Sequence, residues 1–258
     1  MGKPLLHCPL GRRDVHVDVH LTHHRRLASN RRTALDETPS VRDGPLIYDI
    51  TPPVTASLAV WPGDSPPSRE VLCDLKRGDS VTLSTLRATV HLGAHADAPS
   101  HYGSDAPAID KRALEYYIGP CHVMHVNVTR NTRVSPGDLV GPIRAPRVLL
   151  VTGTFPDPTE FNEDFAALEP QLVDAFHDRG VILIGIDTPS VDLFSSKDLP
   201  AHNRFLQHDM AILEGLKLAG VPNGVYELIA LPLRLVGFDA SPVRAILRTL
   251  DDRGEAIT

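Results

Sequence analysis

Four side chains that can bind metals or move protons fall within eleven residues of this chain. They are His91, His95, Asp97 and His101, and small or apolar residues separate them. Imidazole nitrogens and a carboxylate oxygen together form the kind of ligand set that holds Zn²⁺. A lone histidine is usually an ordinary surface or core residue, but four such groups at compatible spacing favour a metal site.

The spacing of these groups limits the backbone that can carry them. In a helix the carboxylate would point away from the histidines, and Gly93 and Pro99 would disrupt the helix. In a straight strand the first histidine and the aspartate would lie roughly 20 Å apart at about 3.3 Å per residue, too far to share an ion. We therefore predict that a strand over 81–90 runs into a tight loop, bent at Gly93 and Pro99, that wraps a metal.

One short loop leaves coordination positions of a metal open, and the C-terminal half offers further ligands. The candidates are His202, at the end of the segment 198–202, and Glu214, which has apolar neighbours. An acid at the edge of an apolar helix stripe is usually exposed. An acid that faces inwards needs a cation, which the metal loop would supply.

The elements that must position these side chains are mostly strands. Short apolar runs predict strands over 46–50, 57–61, 81–90, 122–128, 147–152, 181–186 and 226–233. Helices are predicted over 170–179, which precedes Gly180, and over 209–219, which would carry Glu214. The uninterrupted apolar character of 181–186 indicates a strand buried on both faces. With no internal repeat or linker, the economical fold is a single mixed α/β domain, rich in strands, with a few helices.

Composition narrows the class of protein. The chain has 258 residues, 42% hydrophobic and 22% charged, as expected of a globular protein with one sizeable core. It contains no apolar run of about 18 residues, so no membrane span is expected. The net charge of −6 argues against nucleic acid as a partner. Three widely spaced cysteines without a CxxC pair indicate a reducing compartment, and we expect a cytoplasmic protein.

Residues 1–45 differ in amino-acid composition from the rest of the chain. They hold eight Lys or Arg against five Asp or Glu, together with five histidines. Their apolar residues show little periodicity, and such a composition is typical of solvated disorder. We predict that 1–45 is a disordered extension outside a domain formed by 46–258.

Several blocks of the sequence together resemble the cyclase family of metal-dependent hydrolases and, within it, the bacterial kynurenine formamidases. The blocks are HLGAHADAPSH at 91–101, ITPP at 50–53, VWPGD at 60–64, TGTFPD at 152–157, DLPAH at 198–202, ILEGL at 212–216, YELIALP at 226–232 and DASPVR at 239–244. The first block alone indicates the wider family, and its combination with Trp61 and the C-terminal blocks is more specific. Ala94 stands where the family usually has Thr. This difference puts in doubt a hydrogen bond that would support the ligands, but it does not affect any of the ligands themselves.

The resemblance implies a domain of the cyclase-like swivelling β/β/α type with two Zn²⁺ ions per subunit. The implied ligands are three histidines and two bridging acids: His91, His95 and His202, with Asp97 and Glu214. The first two histidines would bind one ion and the third the other. His101 would donate or accept the proton in catalysis, and Trp61 would line the substrate pocket. The nitrogen and oxygen ligand set also admits Mn²⁺ or other divalent ions.

The implied activity is hydrolysis of N-formyl-L-kynurenine to L-kynurenine and formate by a homodimer, a step of tryptophan degradation. Zinc would activate a water at neutral pH, and His101, with an ordinary pKa near 6.5, could protonate the departing arylamine. Two alternatives stay open. One is another metal hydrolase of the family, such as an isatin-opening enzyme. The other is a non-catalytic metal-binding protein, which the presence of His101 disfavours.

Overall fold

The computed structural model describes residues 45–251. Its strands are β1 (Ile47–Asp49), β2 (Ser68–Cys73), β3 (Leu83–Arg87), β4 (His95–Asp97), β5 (Ile118–His125), β6 (Arg133–Val134), β7 (Arg147–Val151), β8 (Ala167–Leu168), β9 (Leu183–Ile186), β10 (Ala211–Glu214), β11 (Gly224–Ile229), β12 (Ala240–Pro242) and β13 (Ile246–Thr249). Two α-helices occur in this range, α1 (Pro170–His177) and α2 (Pro200–His208). The expected mixed α/β, strand-rich fold is confirmed.

Nine strands form one sheet in the order β1-β13-β11-β5-β7-β9-β10-β4-β12. The four strands β5, β7, β9 and β10 form a parallel block. The strands on either side of this block, β11 and β4, pair with it in antiparallel orientation. Side chains alternate across the sheet, and each face has its own apolar cluster. Leu149 and Leu183 lie in one cluster, whereas Leu150 and Ile184 lie in the other, with Phe176 of α1 and Phe205 of α2. The two helices therefore cover one face of the sheet.

Of the described residues, 45–70 and 85–251 belong to one compact unit of the chain, and 71–84 belong to a second. Its short 3₁₀ turn, Leu75–Arg77, is capped by the Asp74 side chain, which accepts a hydrogen bond from the Lys76 amide. The predicted strand over 81–90 is shorter than expected, because only Leu83–Arg87 is extended in a ladder.

Most predicted elements are confirmed within a few residues, including the helix that precedes Gly180. The strand predicted over 57–61 is wrong. Leu58 instead closes a turn onto the Thr55 carbonyl, and Ala59 donates a single bond to Pro158. Pro53 and Pro62 flank this segment and have no N–H for a ladder, which disfavours a strand there.

The helix predicted over 209–219 is also wrong. Asp209 ends α2 in the left-handed conformation, and β10 follows it in the middle of the sheet. β9 and β4 pair with the two edges of β10, and it is buried on both faces because Ala211 and Leu213 pack into one apolar cluster and Ile212 into the other. Glu214 is therefore the last residue of a strand, and only 3% of its surface is exposed. The helix in this part of the chain is α2, which ends just before the predicted range. Pro200 occupies its first turn, where proline favours helix initiation.

The run from His91 to Asp97 is only partly the predicted loop. The bend is at Gly93, with φ 55°, but His95–Asp97 forms β4, which pairs with β10 on one side and β12 on the other. Gly215, with φ 64°, follows Glu214 and approaches this bend so closely that a Cβ atom there would overlap the Gly93 carbonyl oxygen. Glycine at 215 thus lets the two ligand-bearing segments pack together.

The extension predicted over 1–45 lies outside the described residues, apart from Pro45. Within 45–251, neither helix has the length and apolar character needed to cross a bilayer.

Candidate metal centre

The predicted metal-site residues lie together, and all of them except Asp97 line a cavity of about 600 Å³. The two acids sit side by side because β4 and β10 are paired, with Ile212 opposite Asp97 and Glu214 opposite His95. α2 brings His202 to the same place: its Nε2 lies 3.5 Å from Asp97 Oδ2 and 3.6 Å from Glu214 Oε1. Residues far apart in sequence thus converge on one buried point.

The histidines of the predicted loop approach the same two carboxylates. His95 Nε2 lies 3.4 Å from Asp97 Oδ1 and 3.4 Å from Glu214 Oε2. His91 Nδ1 lies 3.1 Å from Asp97 Oδ1. His101 ends the short 3₁₀ turn Pro99–His101, and its ring centroid is 4.2 Å from that of His91.

Four atoms at this point are buried and have no hydrogen-bond partner: His95 Nε2, both Asp97 carboxylate oxygens and His202 Nε2. Leaving a buried polar atom unpaired costs about 1–3 kcal/mol, so native structures rarely tolerate several in contact. Cations placed among these atoms would satisfy all four. The residues present therefore fit a metal centre.

Two groups of possible ligands overlap at Asp97. One is His91, Asp97 and His101, and the other is His95, Asp97 and Glu214; within each, the ligand atoms lie within 4.8 Å of one another. A carboxylate shared by two groups is what a bridge between two ions requires. The two groups place His91 and His95 on different ions, whereas the sequence resemblance implied that both bind the same ion. The first group also places His101 within reach of an ion.

The second ring nitrogen of each histidine ligand is held by an acceptor away from the centre. His95 Nδ1 donates to the Gly93 carbonyl at 2.8 Å, and His202 Nδ1 donates to Asp192 Oδ2 at 2.9 Å. His91 Nε2 donates to Asp239 Oδ2 at 3.0 Å. Such partners select the tautomer and ring orientation of a metal ligand. They leave Nε2 of His95, Nε2 of His202 and Nδ1 of His91 to face the centre.

Asp192 is a fully buried acid that sequence reasoning missed. Besides the His202 ring, it accepts hydrogen bonds from the amides of Ala201 and His202, at 3.1 Å each, and from Arg133 at 2.8 Å. Leu199, the residue before α2, provides no side-chain cap. Asp192 therefore caps α2 from the loop that precedes the helix and orients the ligand that α2 carries. No motif in the sequence marks this role, because the contact forms only when the loop folds back onto the first turn of α2.

Replacing Asp192 with asparagine is expected to weaken zinc binding by about 10- to 100-fold, because the amide holds the His202 ring less firmly. Competition with a chromophoric chelator measures the affinity. Asp198→Asn, an exposed acid in the same region, is the matched control and should bind zinc like the parent protein. Equal affinity for the parent and Asp192→Asn would contradict the role assigned to Asp192.

Charge within the centre is balanced by protons when no metal is bound. Burial opposes charge on His91, but Asp97 and Asp239 outweigh it and raise the pKa of His91 to about 9. Burial likewise opposes charge on His202, while Asp192 and Asp97 raise its pKa to about 10. The histidines hold the pKa of Asp97 well below its usual value despite burial. Burial lowers the pKa of His101. Metal ions would replace the protons on the ligand histidines.

The cavity beyond the centre has an aromatic wall. Trp61 lines it, with 37% of its surface exposed, and packs on Phe194 at 4.9 Å and Phe161 at 5.5 Å between ring centroids. Most other lining residues are apolar. Of the described residues that line the cavity, Lys217 is the one Lys or Arg. The cavity thus offers a flat apolar surface, a cation and the carboxylate–histidine cluster.

Residues 48–193, more than half of the chain, match the Cyclase family model, described as "Putative cyclase". That range includes the run His91 to His101 and ends before His202 and Glu214.

Solved structures share the fold. One, described as a potential metal-dependent hydrolase with cyclase activity, has a TM-score of 0.69 at 24% identity and covers 81% of this chain and 100% of its own. A predicted metal-dependent hydrolase from Bacillus stearothermophilus has 0.68 at 26%, covering 80% and 98%. Isatin hydrolase A from Labrenzia aggregata, bound to benzyl benzoate, has 0.69 at 21%, covering 80% and 94%. These similarities confirm the cyclase-type fold expected from the sequence.

Proposed function

The chain belongs to the cyclase family, and on that premise we propose that it is a hydrolase that works with two Zn²⁺ ions. The observation that carries the proposal is the group of buried, unpaired ligand atoms on His95, Asp97 and His202 at the cavity wall. The proposed ligand set adds His91 and Glu214 to these three residues. Structural relatives described as metal-dependent hydrolases support the same chemistry.

We propose N-formyl-L-kynurenine as the substrate, cleaved to L-kynurenine and formate. This molecule has an aryl ring, an amide on that ring and a charged amino-acid group. Trp61 offers a flat apolar surface for the ring, and Lys217 offers a positive charge for the carboxylate. The sequence resemblance to bacterial kynurenine formamidases supports the same assignment.

The metal ligands and His101 have separate roles in the proposed hydrolysis. Zinc, when held by the ligand set, supplies an activated water and a positive charge that polarises the formyl carbonyl. His101 accepts a proton from the water as the water oxygen bonds to the formyl carbon, and it returns that proton to the aryl nitrogen as the C–N bond breaks. The free arylamine leaves, formic acid releases its proton to solvent and leaves as formate, and His101 is back in its starting protonation state. Because burial lowers the pKa of His101, its ring is neutral at pH 7 and ready to accept the proton.

The assay that tests this proposal measures kynurenine and formate released from N-formyl-L-kynurenine in equal amounts. The full-length protein is assayed as purified, after removal of metal by chelation and dialysis, and after zinc is restored. We expect turnover to disappear on chelation and to return with two zinc equivalents per chain. A zinc-loaded, folded protein without turnover would rule out the formamidase assignment.

A second candidate is hydrolytic opening of isatin, a neutral cyclic aryl amide. The observation that favours it is the shared fold of isatin hydrolases, with TM-scores of 0.69 at 21% identity. The same zinc-loaded protein is offered isatin and N-formyl-L-kynurenine in parallel. A kcat/KM that is higher for isatin would favour this candidate over the formamidase.

Lys217→Met is expected to lower kcat/KM for N-formyl-L-kynurenine by about 1.4- to fivefold, since exposed ion pairs are worth about 0.2–1 kcal/mol. Turnover of N-formylaniline, which has no carboxylate, should not change. Lys197→Met, an exposed lysine outside the cavity lining, serves as the matched control. An equal loss for both substrates would show that Lys217 does not recognise the carboxylate.

A further inference from the structure

Asp239 lies between a metal-ligand histidine and the histidine assigned to proton transfer. Its Oδ2 atom is 3.0 Å from His91 Nε2 and 3.6 Å from His101 Nδ1. The first contact is a hydrogen bond, and the second is within ion-pair distance. One carboxylate oxygen thus faces both imidazoles, whose ring centroids are 4.2 Å apart.

The backbone around Asp239 is tied to the segment that carries His101. Ala240, the next residue, pairs with Asp97 where β12 runs beside β4. The Asp239 carbonyl accepts the Ala98 amide at 2.8 Å, and the Ala98 carbonyl accepts the His101 amide at 2.9 Å. The carboxylate is 49% exposed, but these bonds fix where its chain lies relative to His101.

We propose that Asp239 is a positioning residue for proton transfer by His101, an inference that rests on the proposed hydrolase function. Asp239 accepts a hydrogen bond from His101 Nδ1–H, which leaves Nε2 of that ring unprotonated. Nε2 then takes the proton from the attacking water and delivers it to the departing nitrogen. The contact need shorten by only a few tenths of an ångström, and catalytic hydrogen bonds are often long before substrate binds.

Asp239 could instead act only through His91, by holding that ligand for the metal. The two roles differ in what a substitution changes. A residue that serves only His91 affects metal content, and its effect on turnover is independent of His101. A residue that positions His101 affects turnover at full metal occupancy, and its effect vanishes when His101 is absent.

The experiment combines Asp239→Asn, His101→Ala and the double variant in the zinc-loaded, full-length protein. We expect Asp239→Asn to keep two zinc ions per chain by elemental analysis and to keep KM within about twofold, while kcat falls about 10- to 100-fold. The double variant should be no slower than His101→Ala. Asp105→Asn, an exposed acid in the same region, is the matched control and should behave like the parent.

A second readout does not depend on turnover. In ¹⁵N-histidine spectra of the zinc-loaded protein, assigned with His101→Ala, His101 should be the Nδ1–H tautomer and should lose that preference in Asp239→Asn. Additive losses in the double variant, measured at full zinc occupancy, would overturn the inference. So would an Nε2–H tautomer in the parent protein. Absence of amide hydrolysis with the expected tautomer would refute the proposed function while leaving the contact established.

Discussion

Asparagine at position 97 is expected to abolish stable zinc binding and to reduce turnover by at least about 1,000-fold. The amide has the size of the carboxylate but lacks the charge that would join two cations. Metal ions supply several kcal/mol of transition-state stabilisation, and each factor of ten in rate corresponds to about 1.4 kcal/mol. Elemental analysis gives zinc per chain, and the N-formyl-L-kynurenine assay gives turnover.

The matched control is Asp178→Asn, which changes an acid whose side chain is 79% exposed at the end of α1. It should retain zinc and turnover. Thermal unfolding of the metal-free proteins shows whether Asp97→Asn still folds cooperatively, so that a folding defect is distinguished from a ligand defect. Asp97→Asn with two bound zinc ions would contradict the bridging role.

His101→Ala is expected to keep both zinc ions and to lose turnover by about 100- to 10,000-fold, the range typical of a general acid–base residue. The loss should be greatest when the departing amine needs protonation. A formanilide with an electron-withdrawing nitro group on the ring expels a better leaving group, so its cleavage should depend less on His101. Comparing the two substrates in the parent and the variant measures this difference.

His177→Gln controls for removing a partly exposed histidine, since that side chain is 44% exposed and lies on α1, away from the cavity lining. Its turnover should equal that of the parent. Loss of zinc in His101→Ala would instead identify His101 as a ligand, in line with its proximity to His91 and Asp97. Equal losses for both leaving groups would refute proton donation to the amine.

Much of the candidate metal centre could be predicted because several of its ligands lie close together in the sequence. His91, His95 and Asp97 fall on one short segment, and the bend at Gly93 follows from residue types alone. The apolar run at 181–186 predicts a strand covered on both faces, and β9 is such a strand. Local pattern is sufficient where one segment determines its own geometry.

The segment around Glu214 shows where local pattern failed. Short apolar runs fit a helix stripe or a buried strand equally well, and pairing with β9 and β4 decides between them. The prediction of Glu214 as a ligand did not depend on this choice, because either structure could have turned the acid inwards. The reason for its burial, a place at the end of a central strand, could not be derived from the sequence.

The sequence by itself determined which chemical groups are available: imidazoles and carboxylates at 91–101, 202 and 214, and a single tryptophan at 61. Tertiary structure decided how they are used. The contacts of His202 with Asp192 and of His91 with Asp239 select the ring nitrogens that face the centre. Those contacts join segments more than one hundred residues apart in the case of His91 and Asp239, and no local propensity encodes them. Ligand identity is a property of residue type, whereas ligand orientation is a property of packing.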